Sequence, residues 1–209
     1  MSSRPYSLWL RVAAWLVAAT MVYNVAEAVI AIWFGLESDS IALFGFGLDS
    51  VIETGAAAVL LWRLGVEAGG ADDATVARTE RRVHRFVGLT FLLLALYVTV
   101  QALSTLWNQQ PPEESVVGIV LAAVSLTAMP LVSWGKLRAA RELGSAALRA
   151  EAKETLACSY LSLALLLGLV ANAVAGWWWA DPAAALLMVP WLVKEGREGL
   201  SEEHCSGGR

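Results

Sequence analysis

A chain of 209 residues that is 57% hydrophobic, with a mean hydropathy of +0.58, carries more apolar surface than a soluble domain can cover and reads as an integral membrane protein. Its net charge of −4, from 15 basic and 19 acidic residues, excludes the strongly basic face that nucleic-acid binding requires. Most charged residues fall between long apolar runs, and no polar stretch is long enough to fold as a soluble domain.

Taken in chain order, the first run covers about 8–36. It follows MSSRPYSLWLRVAAW, which has no small-residue cleavage site, so it is a retained span rather than a signal peptide. Further runs cover about 41–62, 86–107, 116–134, 155–180 and 182–200. The sixth is the weakest, because Lys194, Glu195, Arg197 and Glu198 follow its last clean apolar residue, Val193. Between the second and third runs, 65–85 reads as a Gly/Ala/Asp linker and then a basic segment; 201–209 is a short polar tail. The expected fold is an all-α membrane protein, one six-helix transmembrane bundle over 1–200.

The connections set the orientation. All 15 Lys and Arg residues fall in the N-terminus, the second and fourth connections and the tail; the other connections hold none. The positive-inside rule then places both termini in the cytoplasm. Trp107 and Trp177-Trp178-Trp179 close the third and fifth spans on the outer side as interfacial belts. Cys158 lies in an apolar run and Cys205 in the tail, at different depths, so no disulfide is expected.

The second span contains two carboxylates, Asp49 and Glu53, in otherwise apolar sequence. A charge at the bilayer centre costs roughly 2.5–3.5 kcal/mol on insertion scales. Spacing i,i+4 stacks the two acids on one helix face. A related pattern recurs half a chain later. Ser40-Ile-Ala-Leu43 precedes Asp49 and Glu53, and Ser145-Ala-Ala-Leu148 precedes Glu154 and Cys158, with each first acid nine residues after its Ser. Two helices would each supply an i,i+4 pair to one four-ligand site. Carboxylates and a thiolate suit Zn²⁺, with Cd²⁺ or Mn²⁺ as alternatives. Asn24 and Glu27, on one face of the first span with Thr20, are candidates for a further ligand or a proton carrier. Ser50, Thr54 and Ser159 flank the proposed ligands, and Asn172 reads as interhelical glue. His84 and the Glu202-Glu-His204-Cys205 tail are weak metal-binding signals. No Lys or Arg falls in the central part of any span, so the buried acids lack obvious basic partners. No nucleophile–His–acid set shares a membrane level, and no phosphate-binding loop occurs, so an enzyme is not expected.

These residues resemble the cation diffusion facilitator signature, in which the second and fifth of six spans each carry a His/Asp-x-x-x-Asp pair. Gly176-WWWADPAAALLM is similar to that family's connection between spans five and six. Tyr23-NVAEAVIAIWFGLESDSIALFGFGLDSVIE is similar to a small subgroup that includes an animal synaptic-vesicle zinc transmembrane protein. The resemblance implies a homodimeric transporter in a bilayer that exports a divalent metal, commonly Zn²⁺, in exchange for protons. By position its site would be Asp49, Glu53, Glu154 and Cys158. Glu53 stands where the family has Asp, Glu154 where His is common, and Cys158 where Asp is nearly universal. The family's His-rich loop and C-terminal metal-sensing domain have no counterpart in these residues. A bacterial plasma (inner) membrane is the expected location. The alternative is a non-transporting metal sensor or assembly partner with a degenerate site. One geometric requirement follows. At about 1.5 Å per residue, Asp49 is roughly 14 Å from the outer end of its span and Cys158 roughly 33 Å from its own, so tilt or an extended fifth helix must bring them level.

Overall fold

The computed structural model describes residues 4–69, 73–109 and 112–201, and the regular elements in these are helices: α1 Arg4–Glu37, α2 Ile41–Gly69, α3 Asp73–Asn108, α4 Val116–Leu143, α5 Ala146–Ala175 and α6 Ala180–Ser201. Five contain an apolar stretch long enough to cross a bilayer: Leu8–Glu37, Ile41–Trp62, Gly88–Asn108, Val116–Leu143 and Glu151–Ala175. The apolar part of α6 is cut short at Lys194, as its sequence implies. Large side chains such as Trp15, Trp33, Trp107 and Leu131 point outward, the distribution expected where lipid is the solvent. Tail residues 202–209 lie outside the described residues, and His84 lies within α3.

Several helix boundaries differ from the sequence reading. Most of 65–85 is helical, because α2 runs on to Gly69 and α3 starts at Asp73. Its Ala, Val, Glu and Arg residues are compatible with helix, and a span that continues into water needs no cap at the interface. The fifth helix starts nine residues before its expected span and stops five residues short of its expected end. Gly176 stops it by adopting φ 64°, and its N–H and that of Trp177 bond to the carbonyls of Asn172 and Ala171. Trp177 and Trp179 therefore belong to the α5–α6 turn, where their rings stack at 5.4 Å.

The helices α1, α2, α4 and α5 form a ring, α1 against α2 and α4, and α5 against α4 and α2. The pair α3 and α6 packs beside it, touching α2 and α5. Small residues permit the closest crossings. A Cβ on Gly47 would stand 2.9 Å from the Ile32 backbone nitrogen and 3.0 Å from the Ala31 Cβ; one on Gly35 would stand 2.7 Å from the Phe44 nitrogen. Backbone cannot yield as a flexible side chain can, so Gly47→Leu is expected to destabilise the bundle by about 3 kcal/mol, at the upper end of overpacking costs. Thermal unfolding in detergent measures this. Gly55→Ala, where a Cβ meets nothing within 4 Å, should leave the midpoint unchanged or raise it.

Two apolar clusters fill the interior. One includes Leu43, Phe46, Val98, Met129, Leu165 and Met188. The other, nearer the predicted cytoplasmic ends, includes Val17, Ala57, Leu60, Ala139 and Leu148.

Candidate metal centre

The Ser-x-Ala-Leu repeat is a pair of helix caps. Ser40 Oγ accepts the Leu43 N–H at 3.1 Å, and Ser145 Oγ accepts the Leu148 N–H at 3.3 Å. Each cap starts its helix nine residues before an acid. Two spans, α3 and α4, separate α2 from α5 in the chain, so the two run in opposite directions and their caps lie at opposite ends of the bundle. The α2 cap is reinforced by Asp181 of α6. Its carboxylate accepts from Ser40 Oγ at 2.5 Å, from the Ile41 N–H at 3.0 Å and from the Ala42 N–H at 3.4 Å. A carboxylate at a helix N-terminus is favourably placed against the helix dipole. The sequence reading passed over Asp181 as a connection residue. An acid without a nearby base, set between the tryptophans and an apolar run, was the available signal.

This same junction brings Cys158 level with Asp49 and Glu53. A Cβ on Gly168 of α5 would lie 2.6 Å from the Ala184 Cβ and 3.1 Å from the Ala180 carbonyl oxygen. Gly168, not the end of α5, is therefore level with the start of α6 and, through Asp181, with the start of α2. Cys158 lies ten residues inward from Gly168, about 15 Å, while Asp49 and Glu53 lie eight and twelve residues inward from Ile41, about 12 and 18 Å. The last turns of α5 extend past the start of α2, which removes the mismatch in depth.

Asp49, Glu53 and Cys158 accordingly converge, with one donor atom from each lying within 4.8 Å of the others. Asp49 and Cys158 are buried and Glu53 is partly buried. Glu154 is not among the three. With Cys158 at the level of Asp49 and Glu53, the reversed direction of α5 carries Glu154 one turn, about 6 Å, further inward. It is partly buried there and within electrostatic reach of both Asp49 and Glu53.

The first helix surrounds this cluster with polar groups. Glu27 accepts from Ser50 Oγ at 2.8 Å and, through its other oxygen, from Ser125 Oγ; Ser125 Oγ in turn lies 2.7 Å from the Tyr23 hydroxyl. Glu27 thus ties α1 to α2 and α4. The Asn24 amide nitrogen donates to Glu53 Oε2 at 2.9 Å. Thr20 and Thr54 bond to carbonyls of their own helices, Leu16 and Ser50, while Ser159 Oγ has no hydrogen-bond partner. Asn172 donates to the Pro112 carbonyl at 3.1 Å, tying α5 to the α3–α4 connection as glue.

A buried cation lies near the inner end of the fourth span, outside its central part. Lys136 is fully buried in α4, where it donates to Glu151 at 2.6 Å and to Thr155 at 2.9 Å. The clean apolar run ends at Trp134, but the helix continues to Leu143. The partner that makes this burial tolerable comes from α5, which no reading of α4 alone could supply.

Two carboxylates and a thiol form a donor set suited to a divalent ion of borderline or soft character. Residues 17–203 match the family model described as the cation efflux transmembrane domain. The chain is 28% identical over 150 residues to a protein of Synechocystis sp. named as an uncharacterized transporter; the match covers 70% of this chain and 48% of the relative, so the chain spans about half that relative's length. The matched region contains the six-helix arrangement with nearly all of its length, and with it the convergent acids and thiol. The chain belongs to the cation efflux, or cation diffusion facilitator, family.

Proposed function

We propose that this protein carries a divalent metal cation across the membrane, with the ion held between α2 and α5 by Asp49, Glu53 and Cys158. The observation that carries this reading is the convergence of three donor atoms from two helices at one buried level. Family membership supports it. Zn²⁺ is the ion the reading favours, with Cd²⁺ next on account of the thiol. Metal binding to such ligands releases protons, and protonation of the carboxylates releases metal, so a proton gradient would couple to transport. Exchange of Zn²⁺ for protons by a homodimer in a bacterial plasma membrane completes the proposal.

Zn²⁺ uptake into inside-out vesicles, with and without a pH gradient, tests it. Wild-type protein should accumulate Zn²⁺ faster with the vesicle lumen acidic, and Asp49→Ala should fall to the background of empty vesicles. Absence of wild-type flux, or full flux in Asp49→Ala, would overturn the reading. The presence of Cys158 where the family resemblance expects Asp favours one other reading, a metal sensor that does not transport. Tight binding by purified protein without flux is its signature.

A further inference from the structure

The cluster of Asp49, Glu53 and Cys158 supplies three donors, one fewer than a tetrahedral ion takes up. We infer that the side-chain oxygen of Asn24, from α1, is the fourth. This rests on the reading of the other three as a metal site.

Asn24 is 2% exposed, and its Oδ1 has no hydrogen-bond partner. Buried amide oxygens are rarely left so, and each such atom calls for an ion or water that would satisfy it. The orientation of the amide follows from its neighbour. Its nitrogen lies 2.9 Å from Glu53 Oε2, and exchanging the two amide atoms would set two acceptors against each other. The unpartnered oxygen therefore belongs to the same small group that already touches one member of the cluster. An amide carbonyl is an accepted oxygen ligand for divalent cations.

The other candidates are placed differently. Both oxygens of Glu27 already accept serine hydroxyls, which commits it to joining α1, α2 and α4. Glu154, one turn from Cys158 along α5, is not among the convergent donors. A site closed by Asn24 has three ionisable ligands and one neutral one. A site closed by Glu154 would have four ionisable ligands. The neutral oxygen leaves one less negative charge to hold a divalent ion, which suits a site that must also release it. It also draws α1 into the metal-bound state, so that three helices rather than two respond to occupancy.

The test is Cd²⁺ and Zn²⁺ binding to purified full-length protein by titration calorimetry, together with the ultraviolet charge-transfer band of Cd²⁺ bound to thiolate. Asn24→Ala should weaken both ions by about tenfold, the lower end of what losing a supporting group at a metal site costs, and the Cd²⁺ band should persist. Asn24→Asp should bind at least as tightly as wild type. A role confined to holding Glu53 is separated by repeating Asn24→Ala in a Glu53→Gln background. A ligand weakens binding there again, whereas a positioning residue has no further effect. Should Asn24→Ala not fold, Asn24→Gln keeps the amide but displaces its oxygen, and should weaken binding without moving the unfolding midpoint. Wild-type affinity in Asn24→Ala or Asn24→Gln, weakened binding in Asn24→Asp, or loss of the effect in the Glu53→Gln background would overturn the inference. If wild type gives no Cd²⁺ band, or Cys158→Ser retains one, the reading of Asp49, Glu53 and Cys158 as the metal site fails instead.

Discussion

Lys136→Met is expected to destabilise the detergent-solubilised protein by about 3–5 kcal/mol, the cost of leaving one member of a buried ion pair without its partner. Lys136 is fully buried, and its ammonium lies 2.6 Å from Glu151. The second Glu151 oxygen has no hydrogen-bond partner, so the lysine is its principal compensation. Glu151→Leu should be similarly damaging, because it strands the ammonium. The double variant Lys136→Met/Glu151→Leu should recover most of the loss, since an apolar pair of similar volume needs no charge compensation. Thermal and dodecyl sulfate unfolding measure all three. Equal losses in the double and single variants would show that the residues act through packing rather than through their charges. The pair also bears on the metal centre. Glu151, Thr155, Cys158 and Ser162 are all buried and follow one another at spacings of four, three and four, which stacks them along one face of α5. Lys136 grips the inner part of the same face from which Cys158 projects, so its loss should also lower metal affinity.

Cys158→Asp is expected to invert the metal preference. In the proposed site the thiolate is the one soft donor among oxygens, and soft donors favour Cd²⁺ while carboxylates favour harder ions. Cd²⁺ affinity should fall about 100-fold, the upper end of losses at perturbed metal sites, while Mn²⁺ affinity should hold or rise. Calorimetric titration of both ions gives the ratio, and an unchanged ratio would remove Cys158 from the ligand set. The family resemblance points the same way, since the substitution restores the acid usual at that position. The 1% exposure of Cys158 means that the new carboxylate would have to be held by metal or by a proton. A stability loss that metal reverses is therefore a second expected mark of this variant.

The helices were legible because each apolar run is long and the basic residues alternate by connection. Their ends were less so. Gly176 stops α5 through a backbone conformation that hydropathy does not register, and Lys136 hides inside α4 because a charge ended the apolar run before the helix ended. The repeat was legible as a pattern but not as a device: Ser40 and Ser145 proved to be caps. Asp49, Glu53 and Cys158 were named from spacing, and the structure brings them together. Glu154 was named by the same spacing and lies a turn away, because a repeat in sequence carries no information about two helices running in opposite directions.

By itself the sequence determined what solvent this chain prefers, how many helices it forms, which residues are too polar to be in a membrane without reason, and the family resemblance. Those properties are local: they depend on side-chain chemistry and on spacing along one helix. Only the tertiary structure decided the depth at which those residues meet, through Asp181 and Gly168 at one junction, and the partners they find across helices, such as Glu151 for Lys136 and Asn24 for Glu53. Depth and partnership depend on how helices are registered against one another, and that register comes from contacts between residues far apart in the chain.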